Sequence, residues 1–328
     1  MGAVNIIELD DPPVAAARRP PRRRLLGGAG REAGALPYLL LVPTALVLAA
    51  VIGYPLVRLV IMSLERDGSS SQFTGTPFVG FAEYQKVLSD PVFWSSVERT
   101  VVFAFANVVL SLLFGLAIAL LMGRVSRWVK LTLTVVLMFV WSVPTTVSTE
   151  LFRWLFDAQY GVVDYVLSKA GLASFAQHDW FADPNQGLEV ASFIVIWGAI
   201  PFLAVTLSAG LAQIPKELLE AAKVDGATAW QAFRNVTYPF LRPLLVIVTT
   251  LSVIWDTGVF NQIYILRQTH PEPGYYTLGI YSYVKAFATI YGNDNYSYGA
   301  AMAIIMVLLM GVFMVGYIRQ LLRIGSEG

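Results

Sequence analysis

Six long apolar stretches, each able to cross a lipid bilayer, dominate this sequence. About 20 apolar residues span the roughly 30 Å of hydrocarbon in a membrane. Lipid offers no partners for backbone groups, and the period-two alternation of barrel strands is absent, so the spans are predicted to be helices. The fold class is thus expected to be an all-α integral membrane protein with six transmembrane helices. The stretches are Ala33–Val57, Thr100–Gly123, Leu131–Thr149, Val190–Pro215, the interval between Arg242 and Arg267, and Asn295–Ile318.

Composition excludes several other classes of protein. Hydrophobic residues make up 56% of the chain and charged residues 14%, whereas a soluble domain has roughly 45–50% and roughly 25%. The net charge of +1 gives no general attraction to nucleic acid. Cysteine is absent, and His178 and His270 are the only histidines. Disulfides and thiolate sites are therefore excluded, and no metal site is expected.

The distribution of positive charge predicts the orientation of the chain. Of the 23 lysines and arginines, 15 lie before the first span, in the second-to-third and fourth-to-fifth loops, or after the last span. The positive-inside rule assigns these segments to the cytoplasm of a bacterial plasma membrane, with both termini inside. Residues 1–32 are expected to be a disordered basic tail that contacts membrane lipids, 33–322 the transmembrane domain and 323–328 a cytoplasmic C-terminal tail.

The fourth-to-fifth loop, residues 214–240, has the most distinctive pattern. Pro215 suits a first helical position, and Gly226 suits a helix end with positive φ. A second short helix is expected to begin after Thr228 and to end before Pro239. The small Ala221-Ala222 pair allows another backbone to approach closely. The loop is also consistent with an amphipathic helix that rests on lipid headgroups.

This loop resembles the "EAA" loop of ATP-binding-cassette (ABC) importer permeases, in the form typical of the carbohydrate, MalF-type branch. The likeness covers roughly Leu36 to Leu322 and includes two external segments, Phe78–Trp94 and Phe156–Tyr165. It implies type I importer architecture and a coupling helix that docks on a cytoplasmic ATPase. The residues implied in coupling are Glu217, Glu220, Ala221, Ala222, Asp225, Gly226, Ala227, Trp230 and Phe233.

The resemblance also implies the partners and the cargo. These are a second homologous permease, an ATPase dimer, an extracytoplasmic sugar-binding protein and a carbohydrate, with a disaccharide such as trehalose expected. The chain contains no Gly-Lys pair and therefore no P-loop. It is thus expected to be a non-catalytic subunit without a cofactor of its own, with ATP and Mg bound by the partner ATPase.

Polar side chains within the spans are candidates for a substrate pathway. Asp256 is costly in lipid and should face a cavity or a partner. Aromatic faces, carboxylates and amides are suited to binding neutral sugars. The alternatives are that Asp256 pairs with a cation or caps a helix break, and that Glu150 pairs with Arg153. The candidates are Thr249, Ser252, Trp255, Asp256, Asn261 and Gln262 on the fifth span, and Trp141, Thr145 and Glu150 on the third, where Pro144 is expected to open the backbone.

Seven tyrosines from Tyr275 to Tyr298 are expected to form an interfacial belt or to contact a binding protein, and Asp164 is expected to be solvated.

Two other functions are alternatives to an ABC permease. An ion-coupled secondary transporter would show inverted repeats and several buried ionisable residues. A membrane-embedded sugar–lipid enzyme would need a cluster of acids or histidines at one membrane face. Neither pattern is evident in the sequence.

Overall fold

The computed structural model describes residues 36–68, 75–267, 271–287 and 295–326. The N-terminal tail, residues 1–32, and His270 lie outside the described residues. The helices are α1 (Leu36–Leu48), α2 (Tyr54–Leu64), α3 (Ala82–Ser89), α4 (Pro91–Met122), α5 (Arg127–Ser142), α6 (Thr145–Leu155), α7 (Val162–Lys169), α8 (Pro184–Leu211), α9 (Lys216–Val224), α10 (Ala229–Ala232), α11 (Tyr238–Thr257), α12 (Asn261–Leu266), α13 (Leu278–Phe287) and α14 (Tyr296–Ser326).

The chain divides into two compact units, Met1–Leu56 and Val57–Gly328. In the first unit, α1 continues through a π-helical turn, Ala49–Gly53, into the start of α2. The apolar side chains along residues 39–52 are exposed, as expected for a helix in contact with lipid or with another membrane subunit. The second unit contains the remaining spans and every site discussed below.

Helices of membrane-spanning length confirm the expected all-α membrane fold. Five described segments are long and apolar enough to cross a bilayer, and a sixth crossing requires that α5 and α6 be counted as one broken span. The prediction placed the second span too late, because Pro91 begins α4 nine residues before Thr100. The five segments are Leu39–Leu64, Pro91–Met122, Pro184–Leu211, Ala229–Leu266 and Tyr296–Gly316.

The third span is not the single straight helix that was expected. Helices α5 and α6 meet at an angle of 94°. Val143 has extended backbone, with ψ 125°, and Pro144 follows it at ψ 135°. A residue before proline is disfavoured in the α conformation, and proline has no N–H to donate. The expectation that Pro144 opens the backbone is thus confirmed, and it does so by ending one helix and starting another.

The fifth span also differs from its predicted bounds. The prediction that the second short helix ends before Pro239 is correct for α10, which ends at Ala232, but no loop separates this helix from the fifth span. It passes through a π-helical segment, Phe233–Thr237, directly into α11, where Pro239 occupies the first turn and needs no N–H partner. At the other end, the segment 258–260 interrupts the span between α11 and α12.

Close packing of α4 against α8 forms the centre of the second unit. A Cβ atom added to Gly115 would lie 2.6 Å from the Cβ of Leu203, so only glycine permits this approach. Ala119, Leu203, Leu207 and Val248 are buried together at this level of the bundle. Small residues allow neighbouring backbones to approach in membranes, where helix association depends on van der Waals packing.

Candidate functional site

The end of α9 is fixed by a Schellman motif that the sequence encodes locally. The Ala227 N–H donates to the Ala222 carbonyl at 2.9 Å, and the Gly226 N–H donates to the Lys223 carbonyl at 3.1 Å. Gly226 has φ +77°, as predicted. This pair of bonds is the pattern that ends helices through a left-handed residue. The Asp225-Gly226-Ala227 sequence therefore turns the chain sharply after the Ala221-Ala222 pair.

The second half of the loop begins with a capping box. The Thr228 hydroxyl accepts a hydrogen bond from the Gln231 N–H at 3.3 Å, and the Gln231 side chain accepts one from the Thr228 N–H at 2.8 Å. The predicted N-cap is thus confirmed. Trp230 and Phe233 stack with ring centroids 5.6 Å apart. In one detail the prediction was wrong, since Pro215 precedes the first helical residue, Lys216.

The loop presents a mixed acidic and apolar surface. Glu217, Glu220 and Ala221 are exposed, and Ala222 is half-buried. Val224 and Trp230 are also exposed, at 88% and 68% of their full area. Large exposed apolar side chains next to charges are typical of a contact surface. This surface fits either of the two expectations for the loop, a protein partner or lipid headgroups.

A cavity of about 210 Å³ lies where α5, α6, α8, α11 and α12 meet. It brings together side chains from the two polar sets that the sequence singled out on the third and fifth spans. Trp141 of α5 and Thr145 and Ser148 of α6 line it on the two sides of the bend at Pro144. The predicted residues that line it are Trp141, Thr145, Trp255, Asp256 and Gln262.

Asp256 is the one carboxylate among the residues that line the cavity. The residue is 4% exposed. Its Oδ2 atom is buried and has no hydrogen-bond partner in the described part of the chain. The alternative of a cation pair is not supported there, because the described salt bridges involve other residues. A polar ligand or a water molecule in the cavity would satisfy this oxygen.

Four predicted pathway residues lie elsewhere. Glu150 accepts a hydrogen bond from Arg153 Nε at 2.8 Å, so the ion-pair alternative is the correct one for this residue. Thr249 lines a separate apolar groove between α11 and α14. Ser252 is buried and Asn261 is exposed, and neither is among the residues that line the cavity.

Sequence reasoning missed the wall that α8 contributes. Trp197 and Gly198 line the cavity on this helix, and Ser148 of α6 joins them. The fourth span is apolar on all sides, so hydrophobic periodicity could not indicate which of its residues face the cavity. The tryptophan itself was the only available signal, because aromatic faces suit sugar rings.

Two groups that were predicted to be external and solvated are buried instead. Asp164 is 5% exposed, contrary to the prediction. Its carboxylate accepts hydrogen bonds from the His178 N–H at 2.7 Å and from Trp180 Nε1 at 2.6 Å. Tyr275 and Tyr281 are each 1% exposed, so neither belongs to an exposed tyrosine belt or to a free docking surface.

A second cluster, also in segments predicted to be external, connects the start of α4 to α13 and α14. The hydroxyls of Tyr281 and Tyr298 both donate to Asp90 Oδ2, the latter at 2.9 Å. Burial raises the pKa of the Asp90 carboxyl, but hydrogen bonds from Tyr281, the Val92 amide and Tyr298 outweigh it, and the pKa lies below its ordinary value. Burial and the bond to the carboxylate raise the pKa of Tyr281. These contacts join distant parts of the chain on the predicted outer side.

Comparison with known proteins confirms the resemblance drawn from the loop. The family model described as "Binding-protein-dependent transport system inner membrane component" matches residues 115–323. The diacetylchitobiose uptake system permease protein DasB of Streptomyces coelicolor is 35% identical over 297 residues, 90% of this chain and 89% of that protein. The trehalose/maltose transport system permease protein MalF of Thermococcus litoralis is 32% identical over 289 residues, 88% and 94% of the two chains.

A solved structure supports the architecture. A chain of a bacterial ABC transporter involved in the import of the acidic polysaccharide alginate aligns with a TM-score of 0.74 at 19% identity, covering 88% of this chain and 95% of that one. At this identity the likeness concerns the fold, which is that of the type I importer permeases. The chain therefore belongs to the family of binding-protein-dependent transport system inner membrane components, as a multi-pass permease subunit with no catalytic function of its own.

Proposed function

We propose that this permease carries a neutral disaccharide across a bacterial plasma membrane and that the cavity beside Asp256 forms part of its path. The observation that carries the proposal is the convergence of Trp141, Trp255, Asp256 and Gln262 on one cavity. Tryptophan faces pack against the C–H surfaces of sugar rings. A carboxylate and an amide accept or share hydrogen bonds with hydroxyls.

Charge favours a neutral sugar over an acidic one. The residues that line the cavity include one carboxylate and neither lysine nor arginine. An anionic ligand would find no cationic side chain of this chain to compensate its charge in the cavity, and an uncompensated charge is costly in a medium of low dielectric constant. The names of two relatives agree with a neutral disaccharide, because one refers to diacetylchitobiose and the other to trehalose and maltose. Trehalose is the sugar that we propose first, and diacetylchitobiose is the alternative that the test distinguishes.

The size of the cavity supports a path shared with a second subunit. A complete pocket for a small molecule encloses roughly 300–1,000 Å³, whereas this cavity has about 210 Å³. Trp141 and Trp255 also leave about half of their surface exposed. We propose that a homologous permease provides the facing wall. An extracytoplasmic binding protein would deliver the sugar, as the family description suggests.

The energy would come from an ATPase dimer that docks on the loop containing α9. The exposed Glu217, Glu220 and Ala221, with the Schellman turn behind them, offer a small, charged and rigid contact surface. The partner would bind ATP and Mg, because the sequence has no P-loop. This arrangement requires the loop and both termini to face the cytoplasm, as the distribution of arginine and lysine indicates.

The test measures uptake of labelled trehalose and of labelled diacetylchitobiose by cells that carry the complete transporter. The Trp255→Ala, Asp256→Asn double variant lacks one stacking face and has an amide in place of a carboxylate acceptor. Hydrogen bonds to charged groups contribute about 1.5–3 kcal/mol each, so uptake at limiting sugar should fall about tenfold or more. The matched control is Trp128→Ala, since Trp128 is 78% exposed on α5 and is not among the residues that line the cavity.

Recovery of the assembled complex separates a transport defect from a folding defect. The double variant should still assemble and bind its ATPase. Normal uptake of both sugars by the double variant would remove the cavity from the path. Loss of assembly would assign Asp256 a structural role instead.

A further inference from the structure

A second, separate groove of about 410 Å³ lies between the first halves of α4 and α8. The cavity beside Asp256 is lined by residues 194–199 of α8, whereas this groove is lined by residues 185–192 of the same helix. The two have no residue in common. A volume in the range of roughly 300–1,000 Å³ is typical of sites that hold a small molecule.

Polar and apolar side chains of α4 are divided along the groove. Glu98 and Arg99 line its first part, and Val102, Phe103 and Ala106 line the part that follows. Because α4 and α8 form the second and fourth crossings, they run in the same direction through the membrane. The groove therefore has a charged end and an apolar end.

The charged end lies at the level of the lipid headgroups. Helix α4 has 32 residues and is about 48 Å long, which exceeds the roughly 30 Å of hydrocarbon. The apolar stretches begin at Thr100 on α4 and at Val190 on α8. Glu98, Arg99 and Glu189 directly precede these two positions and line the groove together.

The charges of the groove are available to a ligand. Arg99 Nη1 donates to the Tyr276 carbonyl at 2.6 Å, which holds the guanidinium in place. A guanidinium has five N–H donors, so others remain for a second acceptor. Glu98 and Glu189 are exposed. Within the described ranges, the salt bridges join other residues and include none of these three.

We propose that this groove binds one phosphatidylethanolamine molecule of the leaflet that the positive-inside rule makes the outer one. Arginine binds phosphate through two parallel hydrogen bonds, so Arg99 suits the phosphodiester. A primary ammonium has three N–H donors, which Glu98 and Glu189 can accept. An acyl chain would then lie along Val102 and Ala106. The inference does not depend on the identity of the sugar.

The combination of charges favours this headgroup over the alternatives. Phosphatidylglycerol offers a phosphate but no cation, so both carboxylates would remain without a partner. Phosphatidylcholine has a cation but no N–H group to donate. A basic segment of another protein would pair with the carboxylates and leave Arg99 without an anion. A zwitterion that has both a phosphate and a primary ammonium complements all three side chains.

Native mass spectrometry of the complete, delipidated transporter tests the site. The complex is titrated with phosphatidylethanolamine, phosphatidylcholine or phosphatidylglycerol of identical acyl chains. Phosphatidylethanolamine should bind about tenfold more tightly than phosphatidylglycerol, because charge-assisted hydrogen bonds to the ammonium are made only with the former. The Glu98→Gln, Glu189→Gln double variant should lose this preference. Glu150→Gln is the control and should keep it, since Glu150 is exposed on α6 and is not among the residues that line the groove.

A second pair of variants tests the apolar end without changing any charge. Val102 and Val101 are 62% and 53% exposed on α4, but only Val102 lines the groove. Val102→Trp should fill the groove and lower the affinity for phosphatidylethanolamine about tenfold, whereas Val101→Trp should leave it unchanged.

Equal affinities of the natural complex for the three lipids would overturn the proposal, because lipid that merely surrounds the protein shows no such order. An unchanged preference in the double glutamine variant would also overturn it. Reduced recovery of the assembled transporter with Val102→Trp, but not with Val101→Trp, would assign the groove to a partner subunit instead. None of these measurements involves sugar uptake, so their failure is distinct from failure of the proposed function.

Discussion

Gly226 ends α9 in a backbone conformation that other residues adopt only with strain, and Gly226→Ala therefore perturbs the loop in a defined way. An L-residue at positive φ costs roughly 1–2 kcal/mol. A Cβ atom at this position would meet nothing within 4 Å, so no steric clash adds to that cost. The penalty falls on the Schellman turn alone, and the closed turn should become less populated by a factor of about 5–30.

If the ATPase docks only on the closed turn, its apparent affinity for the permease should fall by up to the same factor. The assay is a titration of the ATPase subunit onto the purified transmembrane complex in lipid nanodiscs, with stimulation of ATP hydrolysis as a second readout. Gly226→Pro should have a larger effect, because proline cannot reach φ +77° and removes the N–H that donates to Lys223.

The matched control is Gly171→Ala, just after the end of α7. Gly171 has φ +98° and also has open space around it, so the same substitution imposes a similar strain far along the sequence from the loop. Its ATPase affinity should match that of the natural chain. An unchanged affinity for Gly226→Ala as well, with normal stimulation of hydrolysis, would refute the role of the turn in docking.

Three further outcomes are expected from contacts in the second unit. Asp164→Ala leaves the N–H donors of His178 and Trp180 without their acceptor and should lower the midpoint of thermal unfolding in detergent, at a cost of about 1–3 kcal/mol; an unchanged midpoint would contradict a stabilising role for these two hydrogen bonds. Gly115→Val places a side chain against Leu203 and should reduce recovery of folded protein more than Gly311→Ala, whose site is open. The lowered pKa of Asp90 means that its contribution to stability is complete above about pH 3.8 and is lost as the pH falls through the folded-state value; in an unfolding series, Asp90→Asn should flatten that acid dependence.

Local features of the loop were predictable from sequence because their determinants lie within a few residues. The Gly226 turn and the Thr228 cap each depend on hydrogen bonds between residues three to five positions apart. The burial of Asp164 was not predictable in this way. Its partners lie 14 and 16 residues away on the far side of a turn, and no periodic pattern connects them.

Some of the residues that line the cavity could be identified from the sequence, and others could not. Polar residues in apolar spans are costly, so Asp256 and its neighbours could be singled out without knowing the fold. Which of them share a cavity depends on the 94° bend after α5 and on the break after Thr257. Asn261 and Gln262 are consecutive residues of α12 and point about 100° apart, and only Gln262 reaches the cavity. Helical spacing from Trp255 indicated Gln262, whereas Asn261 was included for its amide group alone.

The uninterrupted helical path from α10 through the π-helical segment into α11 has a mechanical consequence. Trp230 beside the docking surface and Trp255 beside the cavity are separated by 25 helical positions, or roughly 37 Å at 1.5 Å per residue. Over that length a tilt of about 10° carries the far end sideways by about 6 Å, approximately the pitch of one helical turn. If this path turns as one body, a small rotation near Trp230 is enough to displace Trp255 and with it one wall of the cavity.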